Sequence, residues 1–230
     1  MHRQVVRKSA DTRAIALEPI VRLHFVEVAE PDIDNPSSDF TRLCEALKAQ
    51  WNIDAGMPDL RVLNSLQKTL RAGEWKVTVA VRKGTDVVAI YPGLVETAYG
   101  VAVDVGSTTI AAHLSDLYTG ETLASAGLMN PQIRFGEDLM SRVSYVMMNP
   151  GGENEMTDAV RAALNDLVGE VAKEAKIERS AIVEMTVVGN PIMHHLFLGI
   201  DPTELGGAPF ALTLDKGQDV KAREVGLDIA

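Results

Sequence analysis

Residues 100–116, GVAVDVGSTTIAAHLSD, restrict the possible folds of this chain more strongly than any other stretch. Two segments of alternating apolar residues flank a short polar turn, which is the pattern of two antiparallel strands. A plain hairpin requires only a tight turn. This turn also carries a carboxylate, a glycine and three hydroxyl groups, supplied by Asp104, Gly106, Ser107, Thr108 and Thr109.

The residue types in this turn suit a phosphate group bound together with Mg²⁺. Gly106 lacks a Cβ, so a phosphate can approach the backbone closely, and successive N–H groups of such a turn form an anion-binding concavity. The three hydroxyl groups can donate hydrogen bonds to phosphate oxygens. Asp104 offers the hard oxygen ligand that Mg²⁺ prefers, often through a retained water. A polar hairpin turn without any ligand is the alternative interpretation.

Composition excludes several classes of function. The formal net charge of −10 over 230 residues argues against non-specific binding of nucleic acid. No apolar run approaches the roughly 18 residues that span a bilayer. The only cysteine, Cys44, excludes an internal disulfide and a cluster of cysteine ligands for zinc or iron–sulfur. We therefore expect a cytoplasmic protein that binds neither nucleic acid nor membranes.

Residues 1–18 read as an arm or linker, and residues 19–97 as a small α/β domain of order β-α-α-β-β. In its first strand, Val21, Leu23 and Phe25 are predicted to lie on one face. Ser38 is expected to cap the first helix, and Gly73 to end the second. The predicted inner face of the second helix consists of Leu63, Leu66 and Leu70.

Residues 98–230 predict a second unit of order β-β-β-α-β-α. The first helical part holds two helices, separated by the break at residues 149–152. Asn130 and Pro131 end the third strand. Gly189 and Asn190 then join the fourth strand to a last helix, which has Pro191 in its first turn. Strand ends of this kind open onto ligand-binding crevices, so Gly189 and Asn190 are candidate binding residues.

Residues 130–145, NPQIRFGEDLMSRVSY, contain a second group of candidate residues. Glu137 and Asp138 stand at a helix N-terminus, where they complement the helix dipole. The functional alternative makes Glu137 or Asp138 the catalytic residue that orients a water molecule or Mg²⁺, with Arg142 as a partner of a phosphate or carboxylate.

Adjacent histidines, His194 and His195, point about 100° apart on a helix, so a role in helix packing is favoured over a shared metal ion. Cys44 lies beside Leu43 and Leu47 on one helix face. It is expected to be a packed thiol.

Together, the stretch from Tyr99 to Tyr145 and TVVGNPIMHHLFLGIDPTELGGAPF, residues 186–210, resemble the ATP-dependent reductive activators of corrinoid proteins. These are ferredoxin-linked members of the actin-like (ASKHA) ATPase superfamily. The resemblance covers about residues 19–210. It implies an α/β fold in which a small middle domain precedes the first part of an actin-like, RNase H-like ATPase lobe with a mixed sheet.

The resemblance also implies a function. A [2Fe–2S] domain passes an electron to the inactive Co(II) corrinoid of a partner protein in a methyltransferase system, and ATP drives this reduction to Co(I). Residues 104 and 106–109 correspond to the first phosphate motif of the family, with Asp104 at Mg²⁺, directly or through water. Gly189 and Asn190 correspond to the segment that lines the cleft. A homodimer is a further expectation that the sequence leaves open.

Two departures from the family limit what this chain is expected to do alone. The four cysteine ligands of the [2Fe–2S] cluster are absent, and so are the second phosphate motif and the adenosine motif of the family's second lobe. We therefore expect a fragment of a longer protein that binds ATP weakly or not at all by itself and leaves apolar surface exposed. An ATP-gated interaction scaffold and a small-molecule kinase of the same superfamily are the alternative functions.

Overall fold

The computed structural model describes residues 16–34 and 36–230. Most of the predicted arm, residues 1–15, lies outside the described residues. Two four-stranded sheets, one in each half of the chain, form the framework.

The first unit contains four strands and two helices. These are β1 (Val21–Glu27), α1 (Asp39–Trp51), β2 (Met57–Pro58), α2 (Leu60–Ala72), β3 (Lys76–Arg82) and β4 (Asp86–Pro92). The sheet order is β1-β3-β4-β2, and only β2 pairs in parallel, with β4. The two-residue strand β2 is absent from the predicted order, because it is too short to show an alternating pattern.

Capping residues set the helix limits as predicted. Ser38 accepts a hydrogen bond from the N–H of Thr41 at the start of α1, and Gly73 follows the last residue of α2. The predicted inner face of α2 is partly wrong. Leu63 is exposed and Val62 is buried in its place, because the buried stripe of α2 passes through Val62, Leu66 and Leu70.

The second unit begins with a three-stranded antiparallel meander. Its elements are β5 (Tyr99–Val105), β6 (Thr109–Asp116), β7 (Thr122–Met129), α3 (Leu139–Met148), α4 (Gly152–Ala175), β8 (Ile182–Gly189) and α5 (Pro191–Leu198). A 3₁₀ helix, Pro131–Phe135, connects β7 to the following helices. The sheet order is β7-β6-β5-β8, with β8 parallel to β5. The predicted mixed sheet, and the predicted order β-β-β-α-β-α of elements along the chain, are therefore confirmed.

Strand β5 carries the candidate site because its two faces differ. Val101, Val103 and Val105 are buried against the core that α4 fills with Val160, Leu164, Leu167 and Val171. Ala102 and Asp104 point to the other, open face and are exposed. The alternation of the strand therefore places the carboxylate of Asp104 on the open face, one residue before β5 ends.

The two units pack against each other through a small apolar cluster formed by Val21, Ala80, Ala98 and Val183. This contact agrees with the prediction that Val21 and Leu23 share one face of β1, and it adds a second covered face. Val21 and partly buried Leu23 face the second unit, whereas Val26 faces the helices of the first, so both faces of the strand are covered. A single alternating stripe cannot reveal two apolar faces.

Within the described residues, no helix is both long and apolar enough to cross a membrane. Val188, Phe210 and Leu212 are large apolar side chains with 56%, 60% and 41% exposure. That these side chains belong to a surface left for a second lobe stays a prediction.

Candidate functional site

The turn between β5 and β6 is unusually tight. The N–H of Gly106 donates to the carbonyl oxygen of Thr109 at 3.0 Å. A Cβ on Gly106 would lie 2.7 Å from that same oxygen, closer than a real Cβ can approach. Glycine is therefore required here by contact with the backbone.

Three successive carbonyl oxygens of this turn accept hydrogen bonds from the interior. Asn130 donates its side-chain amide to Gly106 O at 2.8 Å and its backbone N–H to Thr108 O at 2.8 Å. The guanidinium of Arg142 donates to Ser107 O. In a trans peptide the N–H points opposite to the C=O of the same unit. The N–H groups of residues 107, 108 and 109 consequently point away from Asn130 and Arg142.

The outward N–H groups of Ser107 and Thr108 donate no hydrogen bond to any part of the chain that the structure describes. Thr108 is exposed, and Ser107 and Thr109 are half-buried. Asp104, an exposed residue, precedes the turn and lies on the strand that leads into it. Donors and a carboxylate are thus brought together at one sheet edge, where a phosphate with a hard cation fits.

The interior side of the turn rests on a buried polar cluster, which we call the 130/132/142 cluster after Asn130, Gln132 and Arg142. Their exposures are 1%, 0% and 0%. Gln132 donates to Met156 O at 3.0 Å, and its Oε1 accepts from both of the others at 3.4 Å. Asn130 and Arg142 stood out in the sequence without this role, and Gln132 did not stand out at all. The polar residues that follow the apolar strand β7 and precede α3 were the feature of the sequence that could have indicated this buried cluster.

Arg142 also determines where the segment containing Glu137 lies. Its Nε donates to Gly136 O at 3.0 Å while its other end reaches Ser107 O. One guanidinium thus bridges the turn between β5 and β6 and the segment just before α3. The alternative that gave Arg142 a phosphate or carboxylate partner finds no support here, because each guanidinium nitrogen faces an uncharged group inside the protein. Burial lowers the pKa of Arg142, and the charge of Asp138 partly opposes that effect.

Glu137 and Asp138 are both exposed, at the N-terminus of α3. The carboxylate of Asp138 accepts a hydrogen bond from the N–H of Ser141 at 2.7 Å, and the Ser141 hydroxyl donates to Asp138 O. The hydrogen bond from the Ser141 N–H is the main cause that lowers the pKa of Asp138. Asp138 therefore caps α3, which matches the interpretation based on the helix terminus.

Gly189 and Asn190 lie beside the turn, because Val105 and Gly189 are register partners in the parallel pair of β5 and β8. A Cβ on Gly189 would stand 3.1 Å from Val105 O and 3.2 Å from the Cβ of Met193. The side chain of Asn190 accepts from Met193 N at 3.0 Å and caps α5. The structure therefore places the N-terminus of α5 next to the end of β5.

His195 is buried, and both of its ring nitrogens are used. Its Nε2 accepts from Thr213 N at 3.2 Å, so its Nδ1 carries the proton and donates to Pro191 O at 2.8 Å. The bond from Thr213 ties α5 to the following segment, as expected for a helix-packing residue. Cys44 is half-buried, and burial raises the pKa of its thiol.

The residues of the turn fit ATP with Mg²⁺ better than they fit an iron–sulfur cluster. The tight glycine, the outward N–H groups and the exposed carboxylate of Asp104 are suitable for a Mg²⁺-bound phosphate. A chain with one cysteine does not fit a [2Fe–2S] cluster.

Two family models match the chain. The model described as the RACo linker region matches residues 10–97, and the one described as the RACo middle region matches residues 99–230. The corrinoid activation enzyme RamQ of Eubacterium limosum is 36% identical over 112 residues, which make up 49% of this chain and 19% of RamQ.

A solved structure described as a reductive activator for corrinoid, iron-sulfur protein superposes with a TM-score of 0.80 at 30% identity. That alignment covers 98% of this chain and 36% of the solved chain. The chain thus spans about a fifth and about a third of the lengths of these two relatives. The predicted fold class and the predicted resemblance are both confirmed. Because the RACo middle-region model alone matches more than half of the residues, the chain belongs to the RACo family.

Proposed function

We propose that this chain is the part of an ATP-dependent reductase that binds the phosphates of ATP, and that the full-length protein restores Co(II) corrinoid proteins to Co(I). The observation that carries the proposal is the orientation of the turn. Three successive carbonyl oxygens are bonded on the inner side, which leaves the N–H groups of Ser107 and Thr108 directed outward. Preorganised backbone donors of this kind stabilise charge on a phosphate.

Each predicted site residue has a role in this proposal. Asp104 holds Mg²⁺ through a carboxylate oxygen, directly or through water, and the hydroxyls of residues 107–109 donate to phosphate oxygens. Gly189 and Asn190 line the neighbouring edge. When bound, Mg²⁺ neutralises charge on the phosphate groups and favours hydrolysis.

Of the two acidic candidates at the start of α3, Glu137 is the stronger for orienting a water molecule. The carboxylate of Asp138 already accepts the capping hydrogen bond from Ser141. The bridge from Arg142 to Gly136 O keeps the backbone next to Glu137 close to the turn. We therefore assign Asp138 a positioning role in this proposal and keep Glu137 as the catalytic candidate.

The corrinoid substrate is proposed from the relatives. RamQ is described as a corrinoid activation enzyme, and the solved relative as a reductive activator for a corrinoid, iron-sulfur protein. Reduction of Co(II) to Co(I) consumes one electron. A [2Fe–2S] cluster with four cysteine ligands would have to lie outside these 230 residues, because they contain a single cysteine.

The test is anaerobic reduction of a Co(II) corrinoid protein by the full-length protein, followed by the visible spectrum of the corrinoid. We expect Co(I) to accumulate only with ATP, an electron donor and the corrinoid protein together. Asp104→Ala should lower the rate to the level without ATP. Asp54→Ala, at an 80% exposed carboxylate in the first unit, is the matched control and should keep the full rate.

Two other results would favour the alternative functions. ATP-dependent binding of the corrinoid protein without any change in its spectrum would favour a scaffold. Transfer of the terminal phosphate to a small molecule would favour a kinase.

A further inference from the structure

Arg142 is a fully buried arginine without an ion-pair partner among the described residues. Its side chain is 0% exposed, and no carboxylate of the described residues lies within ion-pair distance of it. An arginine remains protonated in proteins. A buried cation is costly unless its donors are satisfied and a negative group offsets its charge.

Each guanidinium nitrogen of Arg142 has a partner, and all of these partners are uncharged. Nε donates to Gly136 O at 3.0 Å, Nη2 to Ser107 O, and Nη1 contacts Gln132 Oε1 at 3.4 Å and Met193 Sδ at 3.2 Å. These partners come from the turn, the 3₁₀ helix, the segment before α3 and helix α5. The hydrogen bonds are therefore supplied, but the positive charge is not neutralised by any of these partners.

The hydrogen bond to Ser107 O fixes the position of this charge relative to the turn. Ser107 C=O and Thr108 N–H belong to one planar trans peptide, so a donor that holds the oxygen inward holds the N–H outward. The guanidinium therefore lies behind the same peptide unit whose N–H faces the outside of the turn. An anion in front of that N–H would be attracted by both the peptide dipole and the buried charge.

We infer that Arg142 is a positioning residue of the phosphate site: it fixes the Ser107–Thr108 peptide for anion binding and supplies a buried positive charge behind it. Arg142 does not touch the phosphate. The inference rests on the proposed function, since it specifies how the proposed site obtains its affinity for a triphosphate. Asn130 holds the two adjoining peptide units in the same orientation, with their carbonyl oxygens inward.

The test is calorimetric titration of MgATP into the full-length protein and into Arg142→Met, Arg142→Lys and Arg161→Met. Arg161 is the matched control, because it is a partly buried arginine of α4 that donates to Phe197 O at 3.0 Å, at the opposite end of α5. Burial lowers the pKa of Arg161, as it does for Arg142. The titration reports two quantities, the dissociation constant and the stoichiometry.

A positioning role changes the dissociation constant. We expect Arg142→Met to weaken MgATP binding by about tenfold or more at unchanged stoichiometry. Arg142→Lys should recover part of the affinity, because it keeps the charge but cannot donate to both carbonyl oxygens in the same geometry. Arg161→Met should bind as the wild type does.

Other results overturn the inference and are distinguishable from failure of the proposed function. Unchanged affinity of Arg142→Met, or a lower stoichiometry at unchanged affinity, would reduce Arg142 to an ordinary structural residue. Binding of MgATP without corrinoid reduction would remove the proposed reductase and leave the inference standing. A wild-type protein that binds no MgATP would remove both.

Discussion

Asn130 donates its side-chain amide to the carbonyl oxygen of Gly106 at 2.8 Å and thereby ties the end of β7 to a turn 24 residues earlier in the chain. The amide oxygen of Asn130 also accepts from Gln132 N at 2.9 Å and caps the 3₁₀ helix. One buried side chain thus supports both the turn and the connection to α3.

Replacing Asn130 should therefore destabilise the fold more than replacing an exposed asparagine. Asn130→Ala leaves Gly106 O and Gln132 N without these bonds in a buried site, so we expect a loss of about 1–3 kcal/mol in the free energy of unfolding. Urea unfolding of the 230-residue chain measures it. Asn154→Ala, at an exposed residue, is the control and should change stability by less than about 0.5 kcal/mol. Equal effects of the two changes would refute the role of Asn130.

Gly106→Ala should disturb the turn through a direct collision. The new Cβ would lie 2.7 Å from Thr109 O, so the turn must open and the Gly106–Thr109 hydrogen bond must lengthen. We expect a stability loss of about 1–3 kcal/mol and, in the full-length protein, weaker MgATP binding. Gly56→Ala, where no atom lies within 4 Å of the new Cβ, should be close to neutral. Wild-type ATP affinity in Gly106→Ala would argue against the turn as the phosphate site.

A pH-dependent contribution to stability is expected from Asp59, which joins the two units. Its side chain caps α2 by accepting from Arg61 N at 2.9 Å and pairs with Arg223 and, at 3.5 Å, with Lys221. Burial raises the pKa of Asp59, but the hydrogen bonds from Arg223 and the Arg61 N–H and the two positive charges outweigh it and lower the pKa overall. A lowered pKa stabilises the fold above the unfolded-state value, near 4, and this stabilisation is lost as the pH falls below it.

Asp59→Asn retains a good capping residue but removes the charge. We expect it to lower the free energy of unfolding by about 1 kcal/mol at pH 7, with the difference from wild type shrinking as the pH falls below about 4. Urea unfolding at a series of pH values tests this. Asp54→Asn, whose carboxylate is 80% exposed against 12% for Asp59, should show little difference at any pH. A difference for Asp59→Asn that persists unchanged at pH 3 would contradict the electrostatic explanation.

Cys44 should react slowly in the folded protein. Burial, and secondly the charge of Glu45, raise the pKa of its thiol, so the reactive thiolate is scarce near pH 8. We expect a colorimetric thiol reagent to modify the folded chain at least about tenfold more slowly than the chain in urea. Similar rates in both conditions would show that Cys44 is neither packed nor shielded.

The sequence predicted those parts of the fold that depend on local patterns. Ser38 and Pro191 begin their helices as predicted, and Val77, Val79 and Val81, which alternate in the sequence, are buried. The predictions were incomplete for one element and wrong for another. Strand β1 is covered on both faces, and the stripe of α2 passes through Val62 instead of Leu63.

In the candidate site, too, the local part could be predicted from the sequence and the long-range part could not. The turn at residues 104–109 could be recognised from its composition, because its residue types and its flanking strands are local. The support beneath it could not, since the bonds from Asn130 and Arg142 span 24 and 35 residues and leave no periodic trace. Which direction a peptide unit faces is fixed by such distant donors, and it decides whether the turn presents N–H groups or oxygens to a ligand.

The most direct test of the central claim is a crystal structure of the full-length protein with Mg²⁺ and a non-hydrolysable ATP analogue. Our account predicts phosphate oxygens about 3 Å from the backbone nitrogens of Ser107 and Thr108, with Mg²⁺ bound to Asp104 directly or through one water. A nucleotide whose phosphates lie elsewhere, with these two N–H groups facing solvent, would contradict it.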